Sequence, residues 1–218
     1  MENNWAAENL QTIRTLMERS AIYRRALAPV MIFVGTMGTA AAFAGALLKM
    51  DSPFRFIGFW ICVAAVTAVG AFLLVRRQAL TDGEPFWSPP TRRILQAVLP
   101  AFTAGLLSSV VFLVLAAGPS GSEPPDNGSS ADIAVLTVGW IFLYGCAIHA
   151  AGFFVPRGLR WFGWLLIIGA NLALAILLFR EGPVPTGVGH WLMGAFFGLS
   201  HLAYGIYLYF TEPRNNEA

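Results

Sequence analysis

Three histidines, His149, His190 and His201, carry most of the chemistry this sequence could perform in an apolar setting. An imidazole can ligate a metal or haem, exchange a proton near neutral pH, or serve as a buried polar packing group. Two of the three stand in "GHWLMGAFFGLSHLAYGIYL", residues 189–208. On a helix turning about 100° per residue, His190, Gly194, Gly198, His201 and Gly205 fall within a sector of about 80°. The histidines therefore share a face with glycines, and that face belongs inside a helix bundle, because glycine admits a neighbouring backbone and a polar ring avoids lipid. Gly145, His149 and Gly152 repeat the arrangement in an earlier segment, so His149 is expected to point inward as well.

On a regular helix the rise from His190 to His201 is about 16 Å, so the two cannot hold one ion. His201 is expected about midway along its span, and His190 at the outer rim, facing water. His149 and His201 could pair across helices around a haem or a metal. However, no carboxylate stands within either span and no HExxH motif occurs, so no metal site and no cofactor is assigned. The candidate cavity or ligand contacts are His149, His201, Asn171 and Tyr204, with Tyr144 and Ser200 as further polar groups. Ser200 is adjacent to His201 and points to another helix face, so the two form no dyad. The phosphate-binding GxxxxGK[ST] loop, a dinucleotide-binding GxGxxG and the GxSxG elbow are all lacking, and no catalytic residue is assigned.

The segments that must position these groups are apolar blocks. Of 218 residues, 56% are hydrophobic and 12% charged, which does not describe a soluble domain. Each block approaches the roughly 20 residues needed to cross a hydrocarbon core as a helix. Six are read: Ala26–Leu48, Phe56–Val75, Ile94–Ala117, Ile133–Val155, Trp161–Phe179 and Trp191–Phe210. Membrane barrels show shorter segments of alternating polarity, whereas a helix satisfies its own amides in lipid, so the expected fold is an all-α polytopic transmembrane bundle. Residues 1–25 form a cytoplasmic arm, 26–210 the six-helix domain and 211–218 a cytoplasmic tail.

All 14 Lys and Arg and all 12 Asp and Glu fall outside these spans. The N-terminal arm, the second and fourth loops and the tail hold 11 basic residues against 3 on the other side, which places both termini in the cytoplasm of a bacterial inner-membrane, multi-pass protein. Membrane-embedded ionisable residues mark proton pumps and voltage sensors, and such charges are missing from the spans. A net charge of +2 confined to the connections gives no nucleic-acid surface. Cys62 and Cys146 lie inside spans and form no redox or disulfide framework.

The arm carries Ala6, Leu10, Ile13, Met17 and Ala21 on one stripe, which predicts an amphipathic helix at the headgroups or docked beneath the bundle. Arg24 and Arg25, with Arg76, Arg77, Arg92 and Arg93 bracketing the loop 76–93, suit lipid headgroups. Pro85, Pro89 and Pro90 prevent that loop from being a continuous helix. Gly105, Gly194, Gly198 and Gly205 are the expected helix-packing glycines. Two alignments raise an inverted three-span repeat: "RFIGFW" at 55–60 with "RWFGWL" at 160–165, and Ala101-xxx-Gly105 with Gly194-xxx-Gly198. Interfacial aromatics and small-residue spacing are also generic in membrane helices.

The arm "TIRTLMERSAIYRR" running into "ALAPVMIFVGTMG", together with "EPFWSPPTRR", resembles a group of six-span bacterial integral membrane proteins without an established activity. The resemblance covers much of the chain and brings no catalytic residues. It implies an association with winged-helix regulators, since some members are encoded beside them.

Three functions stay open. The first expectation is a membrane sensor or accessory protein, with the bilayer, a cytoplasmic protein or a second copy as its partner. The second is a small transporter for a neutral or hydrophobic solute. The third is a haem- or metal-binding redox protein using His149 and His201. A pH-responsive role for the imidazoles is compatible with the first.

Overall fold

The computed structural model describes residues 27–81, 83, 87, 89–117, 128–155 and 158–211. The expected amphipathic arm, with Arg24 and Arg25, and the tail beyond Thr211 lie outside these residues. Every regular element among the described residues is helical, and six helices are long and apolar enough to cross a membrane. They are α1 (Leu27–Leu47), α2 (Pro53–Thr81), α3 (Pro89–Ala117), α4 (Gly128–Ala151), α5 (Gly158–Phe179) and α6 (Val188–Thr211).

Several boundaries differ from the sequence reading. Helix α2 continues past Val75 through Arg76 and Arg77 to Thr81, because long basic side chains at a helix end can reach outward without breaking the backbone ladder. Pro89 opens α3, a position where its missing N–H costs nothing. Helix α4 begins at Gly128, five residues before the expected Ile133, and ends at Ala151, where the chain turns at Gly152. Helix α6 starts at Val188, so His190 stands inside it rather than ahead of it.

Three contacts dominate the packing. Helix α5 lies along α4 as a tight antiparallel hairpin: an added Cβ on Gly145 would come within 3.0 Å of the Ile167 backbone nitrogen, and one on Gly163 within 2.6 Å of the His149 backbone nitrogen. Helix α6 runs antiparallel to α1 in the same manner, with Gly198 against Thr39 and Gly205 against Ile32. Helix α3 packs on α4, and an interhelical bond from Trp140 Nε1 to Ser109 Oγ (3.1 Å) ties them. Lipid chains are as apolar as leucine, so close van der Waals contact and interhelical hydrogen bonds hold such helices together rather than hydrophobic transfer.

The core follows from these contacts. Phe56, Ile57 and Trp60 of α2 join Ala42, Ile133 and Met193 near one end, while Met31, Ala151, Leu159, Phe162 and Leu166 form a cluster toward the other. Among the described residues of α2 the one further buried side chain is Ala79, and the helix presents Ile61, Val66, Val69, Phe72 and Leu73 outward. Helices α2 and α3 are both packed more loosely than α4 and α5, and both turn a broad apolar face outward.

Candidate functional site

The polar interior is organised by α6. The segment Gly194–Leu199 winds as a π-helix between two α-helical parts, Val188–Met193 and Ser200–Thr211. Its wider turn directs the Ser200 N–H to the Ala195 carbonyl, five residues back. The Phe196 carbonyl, which a regular α-helix would pair with that N–H, instead accepts the Ser200 hydroxyl and His201 Nδ1–H, the latter at 3.0 Å. The sequence signal for this irregularity was the glycine pair Gly194 and Gly198 bracketing two phenylalanines, but glycine spacing also occurs in regular packing helices.

His201 is fully buried. Because Nδ1 donates to a carbonyl, Nε2 is the acceptor, and Tyr144 Oη–H of α4 donates to it at 2.9 Å. Aromatic rings close the remaining sides. Phe162 of α5 meets the imidazole edge-on at a centroid distance of 4.8 Å, Phe197 stacks at 6.2 Å, and Tyr204 stacks on Phe162 at 4.8 Å. One imidazole thus connects α4, α5 and α6 through a polar bond and ring contacts.

His190 is likewise fully buried, contrary to the expectation of a water-facing rim residue. The reason lies in the connection before α2. Helix α1 ends in a C-terminal capping motif: Lys49 adopts φ 51°, its N–H reaches the Ala46 carbonyl, and the Met50 N–H reaches that of Gly45. This cap folds the chain over the end of α6 and places the Met50 carbonyl 3.2 Å from His190 Nε2. Trp60 Nε1–H of α2 donates to Nδ1 at 3.1 Å. An indole is only a donor, so Nδ1 must be the acceptor and Nε2 carries the hydrogen. Asp51 Oδ1 lies 4.0 Å from Nε2, and Phe56 and Phe59 enclose the ring at 4.9 and 5.9 Å. Gly187, at φ 78°, supplies the left-handed turn that starts α6 beside this group. A narrow crevice lined by Asp51, Ser130, Ile133, Gly187 and His190 has room for about one water molecule.

His149 is in a different place from the other two. It sits half-buried at the α4–α5 turn, with Nδ1 3.4 Å from the Arg160 carbonyl and its ring against Phe153 and Trp164. Its neighbours Arg160, Phe153 and Trp164 differ from those of His201, which are Tyr144, Phe162 and Phe197. Among the described residues no group of three or more His, Cys, Asp and Glu is arranged to hold a metal ion.

Asn171 lies on the exposed side of α5, where its Nδ2 donates to the Ile167 carbonyl of its own helix at 2.8 Å. That is a poor place for a cavity contact, because a span without an inward partner for the amide satisfies it on its own backbone. Tyr204, by contrast, joins the His201 cluster through Phe162. Gly194, Gly198 and Gly205 are buried in the α1–α6 seam, whereas a Cβ on Gly105 would meet only ordinary contact with Trp140 at 3.9 Å. Gly105 therefore admits no backbone. Arg76, Arg77, Arg92 and Arg93 are exposed at the end of α2 and the start of α3.

The aligned glycines of the two halves differ in surroundings. Nothing lies near a Cβ on Gly58, while one on Gly163 would strike the His149 backbone. Two residues went unrecognised in the sequence: Trp60 and Met50, the partners of His190. A backbone carbonyl carries no sequence signal, and Trp60 reads as an ordinary interfacial aromatic.

The helices and their buried polar links define a multi-span, all-helical membrane protein. No family model, curated protein or solved structure matches the chain.

Proposed function

We propose that this protein is an inner-membrane sensor or accessory protein, with its paired arginines and both termini on the cytoplasmic side. The observation that carries this reading is the state of the buried imidazoles. All ring nitrogens of His190 and His201 are engaged by protein groups, each bridging separate helices, so the polar interior couples elements to one another. A ligand site would leave a lone pair or a donor directed into open space. The exposed arginines of α2 and α3 suit anionic headgroups or an acidic partner surface at the cytoplasmic face.

The irregular segment of α6 favours a second reading, a small carrier for a neutral or hydrophobic solute. Carriers use helices that are broken near mid-membrane, and π segments recur at functional positions. Reconstituted full-length protein separates the two. The accessory reading expects no solute flux in proteoliposomes, together with a specific protein partner crosslinked in cells and lost on deletion of residues 1–20. Flux abolished by His201→Ala would replace it with the carrier. A haem absorbance band or stoichiometric metal lost on His201→Ala would point instead to the redox alternative.

A further inference from the structure

We infer that His190 is a proton-binding site whose occupancy releases α2 from the bundle. The inference rests on hydrogen-bond polarity. In the observed arrangement Nδ1 accepts from Trp60, and Nε2–H donates to the Met50 carbonyl. A proton arriving from solvent can bind only at Nδ1, and the new N–H then faces the Trp60 indole N–H at 3.1 Å. Two donors in opposition cannot bond, and an indole has no acceptor to offer. The Trp60 bond is therefore lost on protonation, while the imidazolium Nε2–H gains a counter-charge in Asp51 Oδ1, now 4.0 Å away.

Every element packed on the ring contributes to this exchange. Helix α1 presents Gly45, the α1–α2 connection presents the Met50 carbonyl, α2 presents Phe56, Phe59 and Trp60, and the crevice wall from α4 presents Ser130. Among the described residues the charged group acting on His190 is Asp51, on the α1–α2 connection. Asp51 is partly exposed and the crevice joins it to the ring, which gives the proton a route to an otherwise buried group.

The consequence falls on α2. Its buried anchors at this end are Phe56, Ile57 and Trp60, and most of its remaining length faces outward. Trp60 carries the polar link between α2 and α6, so its loss loosens the helix that holds Arg76 and Arg77 near its far end. Acid on the Asp51 side is thereby read out on the opposite side. That readout rests on the sensor reading, whereas the local exchange at Trp60 does not.

The test uses full-length protein in lipid nanodiscs with 15N-indole-labelled tryptophan. The Trp60 signal is assigned by its disappearance in Trp60→Phe. Between pH 8 and pH 4.5 the Trp60 indole N–H resonance should move in a single titration step toward the position of an unbonded indole. In His190→Gln, whose amide can still accept from Trp60 without titrating, that step should vanish. In Asp51→Asn, a nearly isosteric change of a partly exposed side chain, the midpoint should move to lower pH. A Trp60 resonance constant across this range in folded wild-type protein would overturn the inference, as would a step that persists in His190→Gln. An unchanged midpoint in Asp51→Asn would overturn the role of Asp51. These outcomes leave the partner crosslinking of the sensor reading unaffected, so the two ideas fail separately.

Discussion

At the scale of single residues, the two buried histidines of α6 do related work with different partners. Each holds one tautomer, fixed by a donor-only or carbonyl neighbour rather than by solvent. Removing the Tyr144 hydroxyl would leave His201 Nε2 without a donor in a site closed by Phe162 and Phe197. Polar pairs inside membrane proteins couple more weakly than intuition suggests, because the unfolded chain in lipid finds other partners. A double-mutant cycle of Tyr144→Phe and His201→Leu, read by reversible unfolding in mixed micelles, is expected to give a coupling of about 0.6–1.7 kcal/mol. Asn171→Leu, on the exposed side of α5, should change stability by less than about 0.5 kcal/mol in the same assay. A larger loss there would mean that Asn171 has a partner in the membrane. The sequence placed His201 on an inward face correctly in terms of periodicity, because helical phase is a local property. It could not place His190, since the lid over that ring is the capped end of α1, distant in sequence.

At the scale of elements, small residues decide which helices touch. Along α6 the glycines meet α1 backbone: a Cβ on Gly198 would lie 2.7 Å from the Thr39 nitrogen and one on Gly205 2.7 Å from that of Ile32. Backbone cannot yield as a flexible side chain can, so Gly198→Ala should destabilise the protein by about 1–3 kcal/mol. Gly105→Ala meets only ordinary contact and replaces the poorest ordinary helix former with the best, so its stability should stay within about 1 kcal/mol of wild type and can rise. Thermal unfolding monitored by circular dichroism compares the two directly, and equal losses would contradict the seam. Both glycines belong to small-xxx-small patterns, Ala101-xxx-Gly105 and Gly194-xxx-Gly198. Spacing alone could not tell them apart, because whether a glycine is approached depends on the partner helix and not on its own.

At the scale of the whole molecule, six helices and alternating connections put the α1–α2 loop and the α2–α3 connection at opposite ends of α2. Ser52 and Thr81 are both exposed at those ends. In a background of Cys62→Ala and Cys146→Ala, Ser52→Cys and Thr81→Cys should react with an impermeant thiol reagent from opposite faces of the membrane, with Thr81→Cys reactive from the cytoplasm. Labelling of both from one face would overturn the proposed topology and, with it, the proposed cytoplasmic placement of the paired arginines. The broad apolar faces of α2 and α3 are what a lipid-exposed edge requires, and they leave α2 free to respond to changes at its few anchors.

The amino-acid order by itself determined that the chain is helical with six segments long and apolar enough to span a membrane, and it placed the histidines on faces shared with glycine. Those properties depend on hydropathy, length and a 3.6-residue period, all of which act within a segment. Only the tertiary structure decided that Gly198 is approached and Gly105 is not, that His149 stands apart from His201, and that His190 is sealed by Trp60 and the Met50 carbonyl. Each of those outcomes turns on which helices become neighbours and at what depth. That choice is made by many weak contacts summed over the bundle, so it leaves no mark in any single stretch of sequence.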